Sequence, residues 1–333
     1  MTSRERVYRA TTFQGPDRVP IVHSTLPGAF LKYGPALQEL YRRYPADVRP
    51  VGYYDPNEYG PAAQVGSRDD WGAVWKRLGN DHKGQVVEHP LADWRALRTY
   101  RAPPPITEEE RVRLRQQIRA DRGEHYLQAD LGTLWQRMFY LRGFEAVLLD
   151  LATDRAEAYQ LRDLILKHIL ARIEALQAFA IDGFLLRDDW GAQDRLLIRP
   201  ARWREFFQPA YQQIAAAVRA AGKHLEFHSD GQTREILPDL AEIGCQVLNP
   251  QMAVVGIDWL SRTLGGRVCL HTDLDRQHLL PRGTPQQVEE HVHQALEAFG
   301  RFHGGCWGGG EIAPDVPLEN AEAMLRAIWE HRF

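Results

Sequence analysis

The sequence predicts a single (β/α)8 barrel, and three observations carry that expectation. Apolar runs of strand length alternate with amphipathic stretches of roughly ten to twenty residues, the pattern of parallel βαβ units. Eight such strands can be counted in 333 residues, a length that one α/β barrel fills. The glycine fingerprint of an open dinucleotide-binding sheet is absent, since Gly304, Gly305, Gly308, Gly309 and Gly310 have other spacings and come late in the chain.

The elements follow in order. Residues 18–24 (RVPIVHS) read as the first strand, 30–44 as an amphipathic helix and 48–55 as the second strand. Residues 59–105 break the alternation with Trp71, Trp75, Trp94, a short strand at 84–88 and the run Ala102-Pro-Pro-Pro. They read as an excursion covering one end of the barrel. Thr107 followed by glutamates opens a helix with a capping box, leading to the third strand at 125–131. The longest helix spans 154–180, with Leu161, Ile165, Ile169, Ile173 and Leu176 at helical spacing. Strands at 181–189, 223–230, 245–251, 267–275 and 304–312 then alternate with helices at 200–222, 233–243, 257–264, 284–299 and from 317 onward. Pro200 sits at a favoured first helical position, Gly222 and Gly244 at helix ends, and Thr284-Pro-Gln-Gln forms a capped start.

Composition narrows the function. With 44% hydrophobic and 26% charged residues the chain is neither disordered nor collagen-like. A net charge of −3, from 41 basic and 44 acidic residues, argues against a general nucleic-acid binder. The charged N-terminus has no apolar stretch behind it and no segment reaches membrane-spanning length, so a cytoplasmic protein without membrane attachment is expected. Cys245, Cys269 and Cys306 are too scattered for a disulfide framework and fit a reducing compartment.

Parallel barrels place reacting groups at the carboxyl ends of their strands. Those ends supply His23 and Ser24, then Gln128 and Asp130, Asp188 and Asp189, His228 and Asp230, Asn249 and Gln251, His271, Asp273 and Asp275, and finally Glu311. The sharpest pattern is His228-Ser-Asp-Gly231, because residues two apart on a strand share a face and His228 and Asp230 can enter the mouth together. An imidazole with a carboxylate is a reasonable metal pair, which Glu311 would complete with a coordination position left open. The same spacing also serves an Asp230 that merely orients His228 or begins the turn at Gly231. Cys306 lies five residues before Glu311 and reads as a small hydrophobe.

At this point the chain resembles the uroporphyrinogen decarboxylase superfamily, and its cobalamin-dependent methyltransferase-like and uncharacterised branches above all. The resemblance rests on the opening Thr2-Ser-Arg-Glu-Arg-Val followed by Gly15-Pro-Asp-Arg-Val-Pro20, and on Glu88-His-Pro-Leu-Ala-Asp-Trp94. Asp188-Asp-Trp-Gly-Ala-Gln193, His228-Ser-Asp-Gly231, Leu280-Pro-Arg-Gly-Thr-Pro285 and Pro314-Asp-Val-Pro-Leu-Glu-Asn320 extend it over nearly the whole chain. It implies a (β/α)8 barrel. The decarboxylases carry an arginine-rich motif after the first strand, where this chain reads His23-Ser-Thr-Leu-Pro-Gly28, which argues against uroporphyrinogen as substrate. The methyltransferases carry a zinc site of His-X-Cys on strand five with a second Cys after strand eight; His228 matches the histidine, Asp230 stands at the first cysteine, and the second falls near Gly310 or Glu311.

The resemblance therefore implies methyl transfer with a corrinoid (methylcobalamin) donor or acceptor and a small oxygen- or thiol-bearing substrate, with a corrinoid protein as an expected partner. His228, Asp230 and Glu311 would hold zinc or a similar divalent metal, and this harder ligand set suits an oxygen ligand. Asp188, Asp189, His271 and Asp130 would be catalytic, and His23, Gln193, Asn249, Gln251 and Asp273 would bind substrate. Two alternatives stand beside it. One is a metal-independent decarboxylase or lyase of a carboxylated small molecule, gripping it with arginines such as Arg187; the other is a non-catalytic barrel that binds a partner. A surface formed by Trp71 and Trp75 would suit a partner or a homodimer, although packing against the barrel is the more ordinary use of such residues.

Overall fold

The computed structural model of the chain describes residues 1–52, 67–76 and 84–332. Its strands are β1 (Ser24–Thr25), β2 (Val48–Val51), β3 (Ser67–Arg68), β4 (Val74–Lys76), β5 (Gln85–Glu88), β6 (Tyr126–Gly132), β7 (Gly183–Arg187), β8 (His224–Ser229), β9 (Val247–Pro250), β10 (Cys269–His271), β11 (Cys306–Trp307) and β12 (Glu311–Ile312). Seven of them form a curled parallel sheet in the order β11-β10-β9-β8-β7-β6-β2. The eighth stave is the first strand: β1 pairs with β12, which continues β11, and Ile21 bridges Gly308 in parallel. On its other side, among the described residues, the first strand meets the second at the base, where the Asp47 amide donates to the Ile21 carbonyl at 2.8 Å. The chain is thus an α/β barrel, as its alternation predicts.

The base of the barrel explains the N-terminal motif. Helix Ser3–Thr11, capped by the Thr2 hydroxyl, sets Val7 and Ala10 against Val48, Tyr126, Val247, Cys269 and Trp307 and plugs the floor. Asp47, wholly buried, accepts from Arg6 (2.7 Å), Arg18 (2.7 Å), the Ser3 hydroxyl (2.6 Å) and the Ile21 amide (2.8 Å). Arg6 also grips Asp17.

Several boundaries differ from the expectation for physical reasons. The helix expected over 200–222 is two, Pro200–Phe206 and Gln208–Ala220, because Pro209 has no amide to continue the ladder. The eighth strand splits into β11 and β12 across its glycines. Helices Ser3–Thr11, Trp135–Arg142 and Phe144–Ala152 were not expected; Gly143, at φ +99°, turns the chain between the last two. The box at Thr284 forms completely, whereas at Thr107 only the hydroxyl half does, since Glu110 pairs with Arg172 instead. Of the excursion, residues 59–66 and 77–83 lie outside the described residues, as do 53–55 of the expected second strand. The described part is the antiparallel sheet β3-β4-β5 and a 3-10 turn at Trp94–Arg98. It docks through Asp69 on Arg137 (2.9 Å), Trp71 edge-on to His168 and Trp75 edge-on to Tyr140, so the tryptophans are half-buried packing groups. All three cysteines are buried and unbridged. No helix among the described residues is long and apolar enough to cross a membrane.

Candidate active site

Strand alternation sorts the rim residues into those that face the mouth and those that do not. On β7, Leu185 and Arg187 line an inner cavity while Phe184 and Leu186 are buried under the helices. The alternation then sends Asp188 outward and Asp189 inward. Asp188 is wholly buried; it accepts from the amides of Leu134 (2.9 Å) and Gln136 (3.0 Å) at the start of helix Trp135–Arg142 and from the Tyr211 hydroxyl (2.7 Å). Burial raises its pKa to about 7 against these bonds. Asp188 thus fastens the fold behind the site rather than facing a ligand.

The inward groups converge. His228 Nε2 lies 3.4 Å from Asp230 Oδ1 and 3.7 Å from Asp189 Oδ1. One ligand atom from each of the three falls within 4.8 Å of the others. Asp189 is held by the Gln136 side-chain amide (2.9 Å) and the Asp230 amide (3.1 Å). The loops bearing these residues touch backbone to backbone: a Cβ on Gly231 would sit 2.2 Å from the Gly191 carbonyl carbon, and one on Gly191 2.3 Å from the Gln232 nitrogen. The two motifs Asp188-Asp-Trp-Gly and His228-Ser-Asp-Gly are therefore one structure, tied further by the Trp190 amide to the Ser229 hydroxyl (3.0 Å) and the Gly231 amide to Gln251 (2.9 Å).

Asn249 sets the tautomer of His228. Its Nδ2 donates to the His271 carbonyl at 3.0 Å, so its Oδ1 must accept from His228 Nδ1 at 2.6 Å. Nε2 is thereby the nitrogen turned to Asp189 and Asp230, and in the neutral ring it carries the lone pair. Burial opposes charge on this ring, but Asp230, Asp189 and Asp273 outweigh it and raise its pKa. Asp273 is itself buried and pushed up to about 6 by burial. Two carboxylate oxygens in this cluster, Asp230 Oδ1 and Asp273 Oδ2, are buried without a donor. Arg276 reaches in from the loop after β10, with Nη2 2.5 Å from Asp230 Oδ2 and Nη1 3.3 Å from Glu311 Oε1. Glu311 therefore stands on the far side of a guanidinium from His228, and the three groups that gather are those of Asp189, His228 and Asp230.

The remaining expected residues take other places. His271 lies a layer deeper, buried, with Nδ1 2.6 Å from Glu226, which also accepts from Gln128 at 2.7 Å. Burial works against the charge on Glu226, but His271 and the two bonds hold its pKa below the ordinary range. Asp130 pairs with Arg187. His23 stacks on Tyr41, bonds the Tyr44 carbonyl at 2.8 Å, and is lowered to about 4 by burial. Gln193 is exposed on the turn closed by the Gly191–Leu196 bridge. A cavity of about 890 Å³ lies against the first strand, β2, β6 and β7, lined by His23, Arg49, Arg113, Gln128, Asp130 and Arg187 among others and by no member of the cluster. Arg276 and Glu226 escaped sequence reasoning. Glu226 had a signal, since it stands two residues before His228 on the same strand face.

A rim of acid–base and metal-ligand side chains at the carboxyl ends of a parallel α/β barrel is the site of barrel enzymes. The chain belongs to the uroporphyrinogen decarboxylase (URO-D) family, whose sequence profile matches residues 80–331. Among curated proteins it is 25% identical to the uroporphyrinogen decarboxylase of Legionella pneumophila (strain Corby) over 269 residues, 74% of this chain and 71% of that protein. It is 24% identical to the methylated-thiol–coenzyme M methyltransferase of Methanosarcina mazei over 195 residues, 57% of this chain and 49% of that protein. Among solved structures, a methyltransferase from Methanosarcina mazei superposes with a TM-score of 0.74 at 16% identity, over 98% of both chains, and supports the fold. Family members with either name are enzymes.

Proposed function

We propose that this protein is a metal-assisted methyltransferase of the family, exchanging a methyl group between a corrinoid and a small oxygen- or thiol-bearing substrate. The observation that carries the reading is the gathering of Asp189, His228 and Asp230 at the strand ends where the methyltransferase resemblance implies a metal. The residues present fit a divalent cation. Asp230 Oδ1 is buried without a donor, and the His228 Nε2 lone pair is turned toward it. Zinc or a similar ion at this place would supply Lewis acidity, lowering the pKa of a thiol or hydroxyl bound to it.

The chain's own residues do the rest. Asn249 fixes His228, Gln136 holds Asp189, and the Gly191–Gly231 contact keeps both carboxylate loops in register. Arg187, on the cavity wall, is aligned with His228 across the β7–β8 ladder, and the cavity would take the body of the substrate. A corrinoid protein would present the methyl group from the open side of the mouth.

Metal analysis of the purified protein, paired with His228→Ala, tests the site. One equivalent of zinc or a similar ion is expected in the parent and none in the variant. Mixing with methylcob(III)alamin and thiol or phenol acceptors should bleach the methylcobalamin spectrum. A metal-free protein that leaves the spectrum unchanged would sink the proposal. The second reading, decarboxylation of a carboxylated small molecule, draws on the arginines of the cavity, Arg49, Arg113 and Arg187, which come from other elements than the family's arginine motif. Carbon dioxide release from such a substrate without added metal would favour it.

A further inference from the structure

We propose that Arg276 is a resident cation of the rim cluster, one that competes with a metal ion for Asp230 and so sets how tightly, and through which oxygens, the site takes a divalent cation. The inference rests on the metal reading above. Its basis is the position of the guanidinium, which joins Asp230 Oδ2 at 2.5 Å to Glu311 Oε1 at 3.3 Å while its side chain is only 18% exposed. These are two of the three groups that sequence expects to be ligands. A carboxylate that holds an arginine through one oxygen offers only its other oxygen to an ion. That other oxygen, Asp230 Oδ1, is the buried atom without a donor, on the side of His228 and Asp189. Glu311, drawn to the guanidinium through Oε1, is not among the groups gathered at His228.

Charge decides that the arginine competes without closing the site. Arginine keeps its proton at every working pH, so its charge is permanent and repels a second cation through poorly screened surroundings. Yet four carboxyl groups, Asp189, Asp230, Asp273 and Glu311, meet two basic side chains here, Arg276 and His228. The surplus still attracts a divalent ion, held by single oxygens and one imidazole. The site that results is weaker and more selective than the same side chains would make without Arg276. Removing the guanidinium frees the second oxygen of Asp230 and releases Glu311 to join.

The test uses the full-length protein, stripped with a chelator and titrated with Co²⁺, whose visible absorption reports ligand number, and with Zn²⁺ by calorimetry. Arg276→Met and Arg276→Gln should bind both ions roughly tenfold to a hundredfold more tightly than the parent, with a changed Co²⁺ spectrum. Arg276→Lys, which keeps the charge, should stay near the parent. Arg276→Ala should be tightened as well, and millimolar guanidinium should loosen it again while leaving the parent unmoved. Neutral variants that bind no more tightly than the parent, a lysine variant that tightens as much as methionine, or no effect of guanidinium would each overturn the proposal while the metal reading stands. Failure of the parent and of every neutral variant to bind either ion would overturn both.

Discussion

Asp188 and Asp189 are neighbours in sequence with different tasks, and only the strand register separates them. Asp188 faces outward and accepts two backbone amides on different oxygens, Gln136 on Oδ1 and Leu134 on Oδ2. An asparagine there would turn its NH2 group toward one of those donors. Asp188→Asn should therefore cost about 1–3 kcal/mol of stability in urea unfolding, the usual penalty of a buried unsatisfied donor, while bound metal stays near one equivalent. Asp189→Asn should do the reverse, weakening Co²⁺ binding with little change in the unfolding midpoint. A variant pair with the two effects exchanged would show that the faces are assigned backwards. At this scale strand alternation put His228 and Asp230 on one face in the sequence, whereas Asp188 and Asp189 were read together and the structure turns them to opposite faces. Arg276 was not, since a loop residue after Asp275 has no period to aim it. Glu311 illustrates the limit: its strand was placed correctly, but its partner came from that unread loop.

At the scale of elements, the site depends on two loops that pack without side chains between them. Gly191 needs no unusual backbone angle, so what demands glycine there is the approach of Gly231 and Gln232 alone. Gly191→Ala must push the Asp189 and Asp230 loops apart. We expect a loss of about 1–3 kcal/mol from overpacking, together with at least tenfold weaker metal binding. Gly222 makes the comparison informative. It ends a helix at φ +67° with open space around it, so Gly222→Ala should lower stability by about 1 kcal/mol and leave the metal untouched. Equal metal affinity in both variants would show that the loop contact does not hold the ligands. The helices and strands themselves were readable from periodicity and caps, and the errors fell where one residue overrides a pattern. Pro209 broke a helix whose apolar spacing continues, and Gly34 with Pro35 divided the helix expected over 30–44 into Pro27–Tyr33 and Pro35–Arg43.

On the scale of the whole molecule, acid sensitivity and barrel closure follow from groups far from the cluster. His23 is lowered to about 4 by burial, and His168 likewise by burial and then by Arg172. Between pH 6.5 and about 4 the unfolded chain therefore binds more protons at these residues than the folded one. Their contribution to stability is complete above pH 6.5 and is lost as pH falls toward 4; His168→Gln should flatten that slope in urea unfolding. Closure rests on Asp47. Between the first and second strands the described residues form no ladder, only the Asp47 amide on the Ile21 carbonyl and the Asp47 carboxylate on the Ile21 amide. The same carboxylate neutralises Arg6 and Arg18 and so ties helix Ser3–Thr11 under the floor. The signatures at Thr2–Val7 and Gly15–Pro20 thus have a structural meaning that the sequence alone could not disclose, because their partner Asp47 lies 29 residues beyond Arg18 and 41 beyond Arg6. Asp47→Asn leaves two buried guanidinium groups without their shared anion, and should cost about 3–5 kcal/mol, the range for breaking a buried ion pair from one side. Glu39→Gln, which breaks an exposed pair with Arg42, should cost less than about 0.5 kcal/mol. If Asp47 joins the seam, hydrogen exchange in Asp47→Asn will quicken at Ile21 and Tyr126, whose amides bond to Asp47, before it quickens in β8 and β9. Uniform quickening across the barrel would mean that the carboxylate stabilises the fold without guarding that edge.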